Sequence, residues 1–266
     1  MNSAVAILLH ALRQLLQSPV TTLRVILPAL LVIAGTGLLV WIAAPGLLAF
    51  GFAQAGSPAW PSGSTGLMWL ALLLMGVFGY ALMAILWHRH GLTDGKASRP
   101  GIKLVLAYLW RVLLLSLIQI LISIVIVIPL LISLATGDGE SPGPSLPAML
   151  LTTFLAGLLL IWLSLRLSLV LPAAALGDRM GFAESWATTA PIVRPLWGVA
   201  ALLAALNTLL IGLIGLIGAE TPLVTLLIET PIYIAQGLLI FSVLTTLYGL
   251  LVQDRQTELR SVRHGL

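Results

Sequence analysis

The sequence predicts an all-α, polytopic membrane protein: six transmembrane helices, with an amphipathic helix ahead of the first. Three observations predict it. Hydrophobic residues make up 59% of the 266 and charged residues only 8%, with a mean hydropathy of +1.10. A soluble domain carries about a quarter charged residues to keep its surface wetted. Six apolar runs reach the roughly 20 residues that a helix needs to cross the hydrocarbon of a bilayer. The polar connections between them alternate in charge. Cysteine is absent, which excludes disulfides, thiolate metal sites and cysteine nucleophiles.

The expected spans cover about 23–50, 67–87, 104–134, 146–171, 198–218 and 231–252, in a single membrane domain over 1–266 that ends in a tail at 253–266. Pro28, Pro45 and Pro129 mark points for a kink or an end. The connections 51–66, 136–147 and 219–230 hold Asp138, Glu140, Glu220 and Glu229 but no Lys or Arg. All 13 basic residues fall on the other side. Positive-inside bias therefore predicts that both termini lie in the cytoplasm. The first apolar run, Val25 to Phe50, is too long for a signal peptide, whose apolar region spans about 7–15 residues. That length argues against cleavage after Ala53-Gln54-Ala55.

Ahead of the first span, residues 3–18 read as an interfacial helix. Ser3, His10, Arg13, Gln14 and Gln17 gather on one side, and Val5, Leu8, Leu9, Leu12, Leu15 and Leu16 occupy the rest. Such a helix lies along the cytoplasmic interface as an anchor, or alternatively serves as a lipid sensor or docking element. Ser18-Pro19 ends it, because proline disfavours α geometry in the residue before it. The 177–197 connection reads as a second interfacial piece. Phe182, Trp186 and Trp197 suit headgroup depth, and Pro191 and Pro195 prevent one continuous helix. Between Glu220-Thr221-Pro222 and its repeat Glu229-Thr230-Pro231, the segment 223–228 is expected to form a short periplasmic helix or a shallow re-entrant piece.

Ionisable residues deep in a bilayer are costly and default to function. Here no span centre holds one. Arg111, after Tyr108 and Trp110, is expected to snorkel. Arg166 lies inside the fourth apolar run. It is expected to snorkel, to bind a lipid phosphate, or to pair with Glu184. Arg89 is a second candidate phosphate ligand, in a basic loop suited to anionic lipid. His88 and His90 stand two apart, so they diverge on a helix and suit no shared metal. Gln119, Asn207 and Gln236 are neutral polar groups within spans. They either glue helices or line a midplane cavity. No nucleotide-binding loop, HExxH or GxSxG motif occurs. No cofactor, metal ion or nucleic-acid partner is expected.

The fifth span carries Gly198, Ala201, Ala205, Thr208, Gly212, Gly215 and Ala219 at alternating spacings of three and four. One face of small residues lets two helices approach closely. The sixth has Ala235, Ser242, Thr245 and Gly249, so the two stripes are expected to face each other across a short link. Alternatively, the fifth-span stripe docks a helix of another protein.

Four strings, taken in order, carry a resemblance. They are Trp87-His88-Arg89, the run Arg166 to Ala175 around Pro172, Glu184-Ser185-Trp186, and Leu244 to Gly249 around Tyr248. Together they resemble an uncharacterised family of six-helix inner-membrane proteins from alphaproteobacteria. More distantly, 166–197 is similar to the membrane domain of some bacterial glycerophosphodiester phosphodiesterases. The resemblance implies a fold and a location, and no enzyme activity. From the site-poor spans, the expected role is a non-enzymatic accessory, scaffold or assembly subunit of a larger membrane complex, respiratory or photosynthetic. Its partners would be membrane lipids and the helices of that complex. The alternative is a transporter or lipid-handling protein.

Overall fold

The computed structural model describes residues 3–43, 63–93, 95–96, 100–135, 146–217 and 222–253. Ala53–Ala55, Pro45, Asp138, Glu140, Glu220 and the tail after Gln253 lie outside the described residues. The described chain is all-α. Its helices are α1 (Ala4–Leu16), α2 (Pro19–Ala43), α3 (Gly63–Leu92), α4 (Ile102–Ala135), α5 (Leu146–Leu167), α6 (Val170–Leu176), α7 (Phe182–Thr188), α8 (Val193–Ile217) and α9 (Pro222–Tyr248). A 3₁₀ turn joins α7 to α8, and a π turn over Gly249–Gln253 follows α9. Six of these segments are long and apolar enough to cross a membrane. The protein is a multi-pass integral membrane protein.

The helices begin where local chemistry says they should. Ser3 caps α1, its hydroxyl accepting the Ala6 N–H at 3.2 Å. Ser18 ends that helix, and Pro19 opens α2 at the first-turn position where a missing N–H costs nothing. The corner is held by the Thr22 hydroxyl, which donates to the Leu15 carbonyl at 3.1 Å.

The fourth span departs from the expected single helix. It breaks at Ser168–Leu169, and α6 follows as a separate helix of about two turns. Pro172 is the cause. It has no N–H to offer the Ser168 carbonyl four residues back, and its ring crowds that carbonyl. The carbonyl is taken instead by the Leu171 N–H at 2.9 Å. The sixth span also differs. The segment 223–228 is no separate piece but the first turns of α9, which runs through Pro231. Proline inside a membrane helix is tolerated where neighbours re-satisfy the freed carbonyl.

α1, α6, α7 and the neighbouring helix ends share one end of the bundle, with Arg89, Arg111, Arg166, Arg179 and Arg194. This basic end holds most of the described core. Met83, Ile85, Trp87, Tyr108, Leu165, Leu169, Val199, Leu203, Val243 and Leu247 are all buried there. Toward the other end, Leu70, Leu74, Leu121, Val125, Leu151 and Leu213 are exposed. The dominant pairings are α5 with α8, α2 with α3, and α1 with α9.

Candidate functional site

Two assemblies of polar groups are built at the basic end, and a groove opens beside them. The first assembly caps α6. Val170 to Ala175 are buried on every side, so the carbonyls that end this short helix need partners from within the protein. Gly177, at φ +88°, turns the chain back in the left-handed conformation that closes a helix. The Asp178 N–H then reaches the Ala173 carbonyl at 2.8 Å. Arg89 of α3 donates through Nη1 to the Ala175 carbonyl at 2.8 Å. Arg111 of α4 donates to the carbonyls of Val170 (3.4 Å) and Asp178 (3.1 Å). The Asp178 carboxylate accepts the Tyr248 hydroxyl of α9 at 3.0 Å. Positive charge at a helix C-terminus is also favoured by the helix dipole. Arg111, expected as a snorkelling end group, is thus turned inward as a clamp.

The second assembly surrounds Arg166, which is only 6% exposed. It neither snorkels freely nor pairs with Glu184. Its Nε donates to the Thr189 hydroxyl at 3.2 Å and its Nη2 to the Trp186 carbonyl at 2.7 Å. The guanidinium carbon lies 3.7 Å from the centre of the Trp186 ring, in cation–π range. Glu184 instead folds back to accept the Gly181 N–H at the start of α7, the one half of a capping box that a glycine N-cap allows. The Ser185 hydroxyl donates to the Arg166 carbonyl at 2.7 Å. The box ties α7 to the end of α5. Trp162 of α5 continues it, stacking on Trp197 of α8 at 4.6 Å between centroids.

The stripe on α8 is placed differently from expectation. The buried face of α8 is Leu196, Val199, Ala200, Leu203 and Ala204, and it packs on α5. Gly157 of α5 is the close neighbour there: a Cβ at Gly157 would lie 3.8 Å from the Ala204 Cβ. Gly212 faces α5 as well, toward Leu150. Gly198 faces α1, where an added Cβ would stand 2.6 Å from that of Ala4. Ala201 and Thr208 are half-buried and Ala205 is exposed. Gly215 continues the helix, and Ala219 lies outside the described residues. Among the described residues, the stripe of α8 therefore does not meet that of α9.

What separates α8 from α9 is α1, which packs against both. Ile7 and Ala11 are 1% and 0% exposed. A helix expected to lie on the membrane is thus a wedge in the bundle. Deeper in the membrane, α8 and α9 are joined by a hydrogen bond from Gln236 Nε2 to Asn207 Oδ1 at 3.0 Å. Gln119, the third polar group of the spans, does not join them. It pairs with Ser164, linking α4 to α5.

Between wedge and amide pair lies an apolar groove of about 530 Å³. Its walls include Leu12 and Leu16 of α1, Ile26 of α2, Leu206 and Leu210 of α8, and Leu239 of α9; Gln236 supplies one polar group. Sequence reasoning named Asn207 and Gln236 but not the groove. The signal available was the Ala4-Ile7-Ala11 strip on α1, three and four residues apart and too compact for a helix that only floats on lipid.

Among the described residues, no group of three or more His, Asp or Glu is arranged to hold a metal. His88 is fully buried beside Thr245, Nδ1 to Oγ1 at 2.8 Å. The Thr245 hydroxyl donates to the Phe241 carbonyl, so it accepts the Nδ1–H. No family model, curated protein or solved structure matches the chain. The fold alone defines its class, a multi-pass helical membrane protein.

Proposed function

We propose that this protein handles lipid, holding one acyl chain of an anionic phospholipid in the groove between α1, α2, α8 and α9. The observation that carries this reading is the groove itself. It lies on membrane-spanning helices, is walled almost wholly by aliphatic side chains, and is of a size that ligand sites typically have. Exposed Arg13 of α1 and Arg24 of α2 stand on two of the helices that line it, each next in sequence to a lining leucine. A lipid phosphate there would gain about 1 kcal/mol per basic residue. In this reading the basic end is cytoplasmic, both termini lie inside, and the membrane is the bacterial inner membrane, as the charge asymmetry supports. The resemblance to the six-helix alphaproteobacterial family fits the same placement. An accessory subunit would need a small-residue face turned outward. On α8 the outward residues are Leu202, Leu209 and Leu213 beside Ala205, which favours lipid over a docked helix.

The test is native mass spectrometry of protein extracted in a mild detergent. The wild type should retain a phospholipid, enriched in anionic species. Leu210→Trp, which fills the groove, should lose it while the protein stays folded. Equal lipid retention by both would overturn the assignment.

A further inference from the structure

On the other side of α1 from the groove lies a second, polar cleft of about 250 Å³. His10 and Gln14 of α1 face it, one turn apart on the polar side of that helix. Gly91, Thr245 and Thr246 form its floor, and the π turn at Gly249–Gln253 forms its far wall. Gln253 closes the end, its amide donating to the Leu92 carbonyl at 3.4 Å. π turns widen a helix locally and recur at functional sites.

The floor is built for contact. Gly91 admits no side chain: a Cβ there would stand 2.5 Å from Gln14 Nε2 and 2.8 Å from Thr245 Cγ2. The Gln14 amide is therefore pressed onto the Gly91 backbone, and its Oε1 is buried with no hydrogen-bond partner. Thr246 is only 6% exposed, and its hydroxyl is likewise buried without a partner. Each such group is costly when left unsatisfied. Thr245 beside it is fully engaged by His88 and Phe241, so it has no donor left for either. Gln14 and Thr246 thus line one cleft, each with an orphan group buried just under its surface, an acceptor and a hydroxyl.

We propose that this cleft binds a neutral polyhydroxyl group. Its described lining holds no Asp, Glu, Lys or Arg; exposed His10 is its one ionisable side chain, and a charged ligand would enter without a permanent counter-charge. A vicinal diol or sugar ring offers both a donor for Gln14 Oε1 and an acceptor for Thr246. At the basic end of the bundle, such hydroxyls have two sources: a free polyol, or the glycerol or sugar headgroup of a lipid.

The experiment measures thermal unfolding of the whole protein in phosphatidylcholine nanodiscs. One arm adds free methyl glucoside or myo-inositol at millimolar concentration. The other incorporates phosphatidylglycerol or a glucosyl diacylglycerol. One of the two arms should raise Tm by roughly 2–4 °C, and the arm that does so identifies the source. Thr246→Val keeps the shape and removes the orphan hydroxyl. It should unfold at the same temperature or higher without probe, and show no rise with it. Gln14→Met should lose the rise as well, while Thr246→Ser should keep it. No rise in either arm for the wild type, or a rise that survives both Thr246→Val and Gln14→Met, would overturn the proposal.

Discussion

The two seams of α8 are built in opposite ways. Toward α5 it is closed: Val199, Ala200, Leu203 and Ala204 are buried, Gly157 lets the backbones approach, and Trp162 stacks on Trp197. Toward α9 it is open: α1 is driven in at the basic end, an apolar groove lies beyond it, and one amide pair spans the gap. The difference follows from the solvent. Lipid tails are as apolar as leucine, so two membrane helices gain little by merely hiding apolar surface from tails. They close where small residues and good packing allow it. Where they do not, lipid fills the space at little cost. A closed seam marks structure, and the open one is where the proposed lipid would sit.

Substitutions at four positions sharpen the contrast, from the largest effect to the smallest. Arg166→Leu removes two hydrogen bonds from a buried cation and its contact with Trp186. The loss should be about 1.5–3 kcal/mol per charged hydrogen bond, read as a lower Tm in detergent. Arg166→Lys should recover only part, because an ammonium lacks the flat fork that reaches Thr189 and Trp186 together. Ala204→Leu overfills the closed seam and should cost about 1–3 kcal/mol by the same assay. Asn207→Leu breaks the amide bridge of the open seam. Such bridges average about 0.6 kcal/mol in a membrane, so its Tm should fall far less than that of Ala204→Leu. Ala205→Leu sits one position along from Ala204 but points outward, and should change stability by no more than about 0.5 kcal/mol. Equal damage from Ala204→Leu and Ala205→Leu would erase the distinction between the seams.

The spans were legible because their signals are local. Apolar length, Ser3 and Pro19 at helix starts, and the basic bias of one set of connections all act within a few residues. Partners were not legible. A small-residue period shows which face can approach a neighbour, but not which neighbour it meets. The short link between the fifth and sixth spans suggested each other, yet α1 stands between them at the basic end. The stripe was also off by one position: Ala201 and Ala205 share spacing with Gly198, but Ala200 and Ala204 are the buried pair. The break before α6 was readable in principle from Pro172, since the missing N–H falls inside an expected helix. The inward turn of Arg89, Arg111 and Arg166 was not, because the carbonyls they cap belong to other helices.

The central claim is that α1 is wedged against α8 within the bundle and does not rest beside it on the membrane. The absence of native cysteine permits a direct measurement in intact membranes: introduce Ala4→Cys with Gly198→Cys, oxidise, and count the thiols left for maleimide. The two Cβ positions lie 2.6 Å apart, so the short α1 need yield only about 1 Å to reach disulfide geometry. The account predicts near-complete bridging, with both thiols lost to maleimide. Two freely labelled thiols after oxidation would contradict it, and would return α1 to the membrane surface.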